Sequence, residues 1–123
     1  MEILRISNSI TIIFAAQYYG KLKSSNKKIT IEEIQKKVAE HYNIRITDMH
    51  SPRRSRSVAR PRQIAMYLSK KLTTKSLPEI GRKFTGRDHT TVIHAIKKIE
   101  ELMSKDKQFE YEVQNITDRI IKN

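Results

Sequence analysis

The chain has 123 residues, enough for one domain with a small core and too few for a second folded unit of ordinary size. Its 25 Lys and Arg residues against 13 Asp and Glu give a formal charge of +12, an excess that opposes compaction and suits a polyanionic partner. The absence of cysteine excludes disulfides and thiolate metal sites and fits a reducing compartment such as the cytoplasm. The four histidines (His41, His50, His89, His94) follow no metal-ligand spacing, and no apolar run reaches membrane-spanning length.

In chain order, residues 3–22 predict a helix with Ile10, Ile13, Phe14 and Tyr18 on one face. Its apolar centre, Ile10 to Ala16, lies where a secretion signal would. Glu2 precedes it and Gln17 breaks it, so a buried helix or the stub of a longer chain is the better reading. The polar, basic stretch Lys21–Lys28 reads as a linker, which divides the chain into a connector or remnant over 1–28 and a domain over 29–123. Thr30 with Glu33 makes a capping box, and Ile31, Ile34, Val38 and Tyr42 follow at helical spacing until Asn43. Ile44, Ile46 and Met49 form an apolar patch around a turn or half-helix at 47–51.

Pro52 to Ser57 is an arginine-rich loop. A second long helix is expected to begin between Ser57 and Pro61, because proline suits a first turn. Ile64, Ala65, Leu68 and Leu72 give it an apolar stripe, with Arg62, Gln63, Tyr67, Lys70 and Lys71 on its other faces. Ser76 and Glu79 make a further capping box, opening a short helix with Leu77, Ile80 and Phe84 on one side. Gly86 suits the turn, Gly81 permits close packing of two helices, and Asp88 caps a helix that runs to about Met103. Val92, Ile96, Ile99 and Met103 line one side of it, opposite Thr90, His94, Lys97 and Glu101; Lys97 and Lys98 are spaced to pair with Glu101. A last helix over 109–121 covers the core with Val113, Ile116 and Ile120. No stretch alternates long enough for a strand, so the expected fold is all-α: a compact helical domain with a connector helix before it.

The charge is localised. Residues 49–78 hold eight Lys and Arg and no acid, whereas 95–123 hold six of each sign. Within and beside the basic stretch, residues 76–103 have helix-turn-helix spacing, with Thr85, Gly86, Arg87 and Asp88 as the turn. The first residues of such a second helix reach base edges in a major groove. Here they are Asp88, His89, Thr90 and Thr91, which can bond to bases, and a threonine methyl can also pack on a thymine methyl. The run Ser51-Pro52-Arg53-Arg54-Ser55-Arg56-Ser57 cannot bury its guanidinium groups. It suits phosphates or a narrow A·T-rich minor groove. Together they predict a module that reads two grooves of double-stranded DNA. His94, one turn beyond Thr90, either touches a phosphate or faces solvent.

The strings SRSVARPRQ (55–63), SLPEIG (76–81) and GRDHTTV (86–92) resemble the C-terminal domain of the bacterial chromosomal replication initiator family, DnaA. The resemblance runs over about residues 29–120, and GRDHTTV is highly specific. It implies an all-helical domain that binds asymmetric origin boxes of the TTATNCACA type on the bacterial nucleoid. It also implies roles by position. Arg54 would read the minor groove, and Lys70, Leu77, Pro78, Asp88, His89 and Thr90 would face bases in the major groove. Arg53, Arg56, Arg62, Gln63, Arg87 and Thr91 would hold the DNA backbone. The family's connector region is linked to acidic phospholipid, which would place that contact at residues 3–22.

The sequence has no G-x-x-x-x-G-K-[ST] loop, so ATP is implied only for a full-length initiator; the expected chain has no cofactor, no catalysis, and is a monomer. Three other functions compete. A stand-alone regulator that occupies initiator boxes would have the same sequence features. A small nuclease using Asp88, His89, His94 and Glu100 is disfavoured, because these side chains point to different sides of one helix. Membrane attachment through residues 3–22 is the third.

Overall fold

The computed structural model describes residues 28–52 and 55–122. The expected connector helix over 3–22, most of the linker, and Arg53 and Arg54 lie outside the described residues. Among the described residues five α-helices follow one another: α1 (Ile31–His41), α2 (Arg56–Leu72), α3 (Leu77–Lys83), α4 (His89–Lys105) and α5 (Lys107–Lys122). A 3₁₀ turn (Ile46–His50) lies between α1 and α2. No strand occurs among the described residues.

Local chemistry sets most helix ends. The Thr30 hydroxyl accepts from Glu33 N–H and starts α1. Asn43, at φ 54°, ends it: Ile44 N–H reaches back to the Ala39 carbonyl at 3.0 Å, closing a left-handed cap that asparagine tolerates. Ser76 and Glu79 complete both arms of the capping box before α3. Helix α2 departs from expectation by starting earlier, at Arg56 after Ser55, which puts Pro61 in its second turn. Proline has no N–H to give, so the carbonyl of exposed Ser57 gets no bond from it. Glu101 also departs: it pairs with Lys105 at 3.0 Å, one turn ahead.

Helix α2 is the centre, packed chiefly on α4 and α1, and α5 lies across α1 and α4. The core joins Ile34 and Val38 of α1, Ile64, Ala65 and Leu68 of α2, and Ile80 with Phe84 at α3. Val92 and Ile99 of α4 and Val113, Ile116 and Ile120 of α5 complete it. Burying each Ile, Val or Phe contributes about 1.5–3 kcal/mol. Met49 is fully buried, but Ile46, expected beside it, opens the 3₁₀ turn at its outer rim and is 45% exposed. Two buried hydroxyls are partnered within their own helices: that of Ser69 donates to the Ala65 carbonyl and that of Thr117 to the Val113 carbonyl. Where α1 meets α5, the Tyr42 hydroxyl donates to the Glu112 carboxylate at 2.5 Å, and burial with that bond pushes the phenol pKa well up.

Candidate nucleic-acid interface

Helices α3 and α4 meet in a helix-turn-helix whose closeness depends on one missing side chain. Gly81 is buried in α3, and a Cβ there would lie 2.1 Å from the Arg87 carbonyl oxygen. The same approach lets Arg87 N–H donate to the Gly81 carbonyl at 2.9 Å. The turn between them has two consecutive left-handed residues, Thr85 (φ 66°) and Gly86 (φ 61°). Glycine adopts this freely; a β-branched threonine is strained there by about 1–3 kcal/mol. The Gln35 side chain of α1 closes the end of α3 by donating to the Lys83 carbonyl at 2.9 Å.

At the start of α4, Asp88 Oδ1 accepts from Thr90 N–H and Thr91 N–H. The backbone bond from Thr90 is the largest cause of a lowered Asp88 pKa, so the carboxylate is ionised at neutral pH. Its second oxygen remains an acceptor on an exposed residue, so capping the helix and accepting from a base are compatible. His89, Thr90 and Thr91 are exposed beside it, as are Lys70 near the end of α2 and Pro78 at the start of α3; Leu77 is half-buried. Thr90, His94, Lys97 and Glu101 all face outward, opposite the buried Val92 and Ile99. The Asp88, His89, His94 and Glu100 set gathers into no cluster, and no group of three or more metal-binding side chains occurs among the described residues.

Beside this row, α2 and α4 border an open groove of about 440 Å³, lined by Arg62, Gln63, Arg87, Thr91, His94 and Lys98 and by no acid. Four of the six are residues expected to hold a DNA backbone. The Arg87 Nε donor is buried without an acceptor, and Gln63 Oε1 without a donor. Arg56 is exposed at the first turn of α2.

Arg62 is the main difference from the sequence reading. Expected on an outer face, it is 6% exposed. Its Nη1 donates inward to the Asp48 and Ser51 carbonyls at 3.1 and 2.5 Å. Burial, then the neighbouring charge of Arg87, lowers its pKa, though an arginine stays protonated. Arg87 turns the same way, and its Nη2 donates to the Ser51 carbonyl at 2.6 Å. The Thr85 hydroxyl donates to the His50 carbonyl at 2.9 Å. Lys98 and Thr85 drew no functional reading from the sequence. Lys98 looked like an ion-pair partner, and Thr85 was hidden behind Gly86 as the evident turn residue.

A family model described as the bacterial dnaA protein helix-turn-helix matches residues 31–99. The chromosomal replication initiator protein DnaA of Cereibacter sphaeroides is 63% identical over 93 residues, 76% of this chain and 20% of that protein. That of Ehrlichia ruminantium (strain Gardel) is 55% identical over 115 residues, 93% of this chain and 25% of that protein. Residues 29–123 are too few to hold a match of that length, so it extends into residues 1–28. The chain thus spans about a fifth to a quarter of these relatives. A crystal structure of a DNA replication initiation factor matches at TM-score 0.69 and 32% identity, covering 98% of this chain and 37% of that one.

Proposed function

This chain belongs to the bacterial DnaA helix-turn-helix family, and from that premise we propose that it binds double-stranded DNA sequence-specifically, at boxes of the TTATNCACA type, as the DNA-recognition part of a chromosomal replication initiator. The observation that carries the reading is the exposed row at the start of α4 beside an acid-free cationic groove. A duplex laid there would give its base edges to one and a phosphate strand to the other.

In this reading Asp88, His89 and Thr90 read bases in the major groove, with Lys70, Leu77 and Pro78 at its side. Asp88 accepts from a cytosine amine, and Thr90 supplies a hydroxyl and a methyl. Gln63, Arg87 and Thr91 hold a phosphate strand in the groove, where the unpartnered Arg87 Nε meets an acceptor; Arg53 from the loop and Arg56 from the first turn of α2 add phosphate contacts. Arg62 adds positive charge from beneath. Arg54 enters the minor groove, where the potential of an A·T-rich end is most negative. Binding of this kind needs no cofactor, and the recognition is that of a monomer acting on the chromosome in the cytoplasm. Residues 1–28 act as a connector to the rest of an initiator, and contact with acidic phospholipid belongs to residues 3–22 in this reading.

Fluorescence binding to a TTATNCACA duplex and to a scrambled duplex, over a salt series, tests the proposal. The box should bind at least about a hundredfold more tightly. With six to ten phosphate contacts, affinity should fall roughly a thousandfold or more between 50 and 200 mM salt. Equal affinity for both duplexes would refute sequence-specific recognition, and a flat salt dependence would refute phosphate contact altogether.

A further inference from the structure

The arginine loop leaves the body of the domain at His50 and Ser51, and three side chains from elsewhere in the chain fasten that stem. Arg62 Nη1 and Arg87 Nη2 donate to the Ser51 carbonyl, and the Thr85 hydroxyl donates to the His50 carbonyl. Two of the three, Thr85 and Arg87, belong to the turn of the helix-turn-helix, 35 and 36 residues along the chain from their acceptors. The arrangement works against two costs. It holds two guanidinium groups together on one carbonyl, and it keeps a β-branched residue at φ 66° where glycine would sit unstrained.

We propose that Thr85, with Arg87 and Arg62, splints the stem of the arginine loop to the turn before α4, and that Thr85 is a specificity-determining positioning residue. The splint sets the bearing of the stem at His50 and Ser51 relative to the recognition helix before DNA arrives. A duplex then meets a stem already held beside that helix, and the ordering entropy of the stem is not charged to binding. Thr85 itself touches no base; it acts through the His50 carbonyl. This inference rests on the proposed DNA reading, in which the loop and the recognition helix grip one duplex.

The test uses the full chain and three variants. Thr85→Val keeps the branched shape and the left-handed strain but has no hydroxyl; Thr85→Ser keeps the hydroxyl; Thr85→Gly removes both hydroxyl and strain. Amide hydrogen exchange in the DNA-free protein should show faster exchange at His50 and Ser51 in the Val and Gly variants and unchanged exchange in Ser. For DNA, two altered boxes are compared with the intact one: one changed at the A·T-rich end, the other at the CACA end. Thr85→Val and Thr85→Gly should lose about threefold to tenfold of the discrimination at the A·T-rich end, the worth of one ordinary hydrogen bond. Discrimination at the CACA end should stay, and Thr85→Ser should behave as the parent. A general loss of fold would lower both ends together, and Thr85→Gly, which relieves strain, guards against it. Unchanged exchange in Val and Gly overturns the splint, whatever the DNA results. Looser exchange with intact discrimination overturns the specificity role. Looser exchange in a protein whose parent prefers no box leaves the splint standing and overturns the DNA reading instead.

Discussion

The two flanks of this domain hold their shape by different means. Where α1, α4 and α5 meet, cohesion is apolar: Ile34 and Val38 face Val113, Ile116 and Ile120, and the Tyr42–Glu112 hydrogen bond is a polar tie at the margin. Around α3 and the start of α4, Ile80, Phe84 and Val92 supply the apolar floor. The rest is polar and geometric: two side-chain caps, a glycine at a helix crossing, and three side chains bonded to the loop stem. Apolar packing adapts at graded cost, whereas a hydrogen bond to a fixed backbone group either fits or does not. The flank that must present side chains to a duplex at fixed spacing is the one built from the less forgiving kind.

The sharpest way to break this contrast is Gly81→Ala. The new methyl would lie 2.1 Å from a backbone oxygen, with no flexible side chain able to give way. We expect a loss of about 3 kcal/mol or more, seen as a much lower melting temperature, and collapse of box binding to the salt-dependent background. A variant that melts and binds normally would mean that the two helices are not held at this distance.

A matched pair gives the intermediate effects. Thr90→Ala should lose about tenfold to a hundredfold of box discrimination, with its melt within a few degrees of the parent, because the side chain is exposed. Ile116→Val, fully buried on the apolar flank, should cost about 0.5–1.5 kcal/mol and lower the melt by several degrees, with discrimination unchanged. If Thr90→Ala melts early and keeps its discrimination, the orientation of α4 is wrong.

The smallest effect concerns acid. Backbone N–H bonds, first from Thr90, hold Asp88 below the ordinary carboxylate range, and bonds from the Ser76 backbone and hydroxyl do the same for Glu79. A depressed folded pKa gives stability that is complete above the unfolded value, about pH 4, and is lost as pH falls through the folded value. The cap of α1, by contrast, is the hydroxyl of Thr30, which does not titrate there. Amide exchange between about pH 5 and pH 3 should therefore rise at the starts of α3 and α4 beyond the intrinsic trend, and not at the start of α1. Equal change at all three would show that the carboxylate caps carry no special share.

What was legible in the sequence was what is local. Thr30, Ser76 and Asp88 cap helices within three residues of their partners, and the stripes Ile31–Ile34–Val38 and Val92–Ile99 show the periodicity of one helix. GRDHTTV named its family because its residues are contiguous. The missed features join distant segments. Arg62 is buried because of main-chain carbonyls 11 and 14 residues earlier, and a carbonyl acceptor leaves no mark in composition. Thr85 takes a glycine-like conformation that its own residue type argues against, stabilised by an acceptor 35 positions away. The early start of α2 was missed for a related reason. Proline suits a first turn, but Ser55 precedes it by six positions and its carbonyl already accepts from Val58 and Ala59.

The Gln35 side chain bears on where the domain can be cut. The carbonyl at the end of α3 is satisfied by a residue 48 positions earlier, on a helix that belongs to the opposite flank. Helix α3 has only seven residues, too short to persist alone in water. The helix-turn-helix is therefore not a portable cassette. Residues 76–105 excised and grafted elsewhere would carry the right side chains on a first helix left unfinished, and the smallest autonomous reader must reach back to include α1.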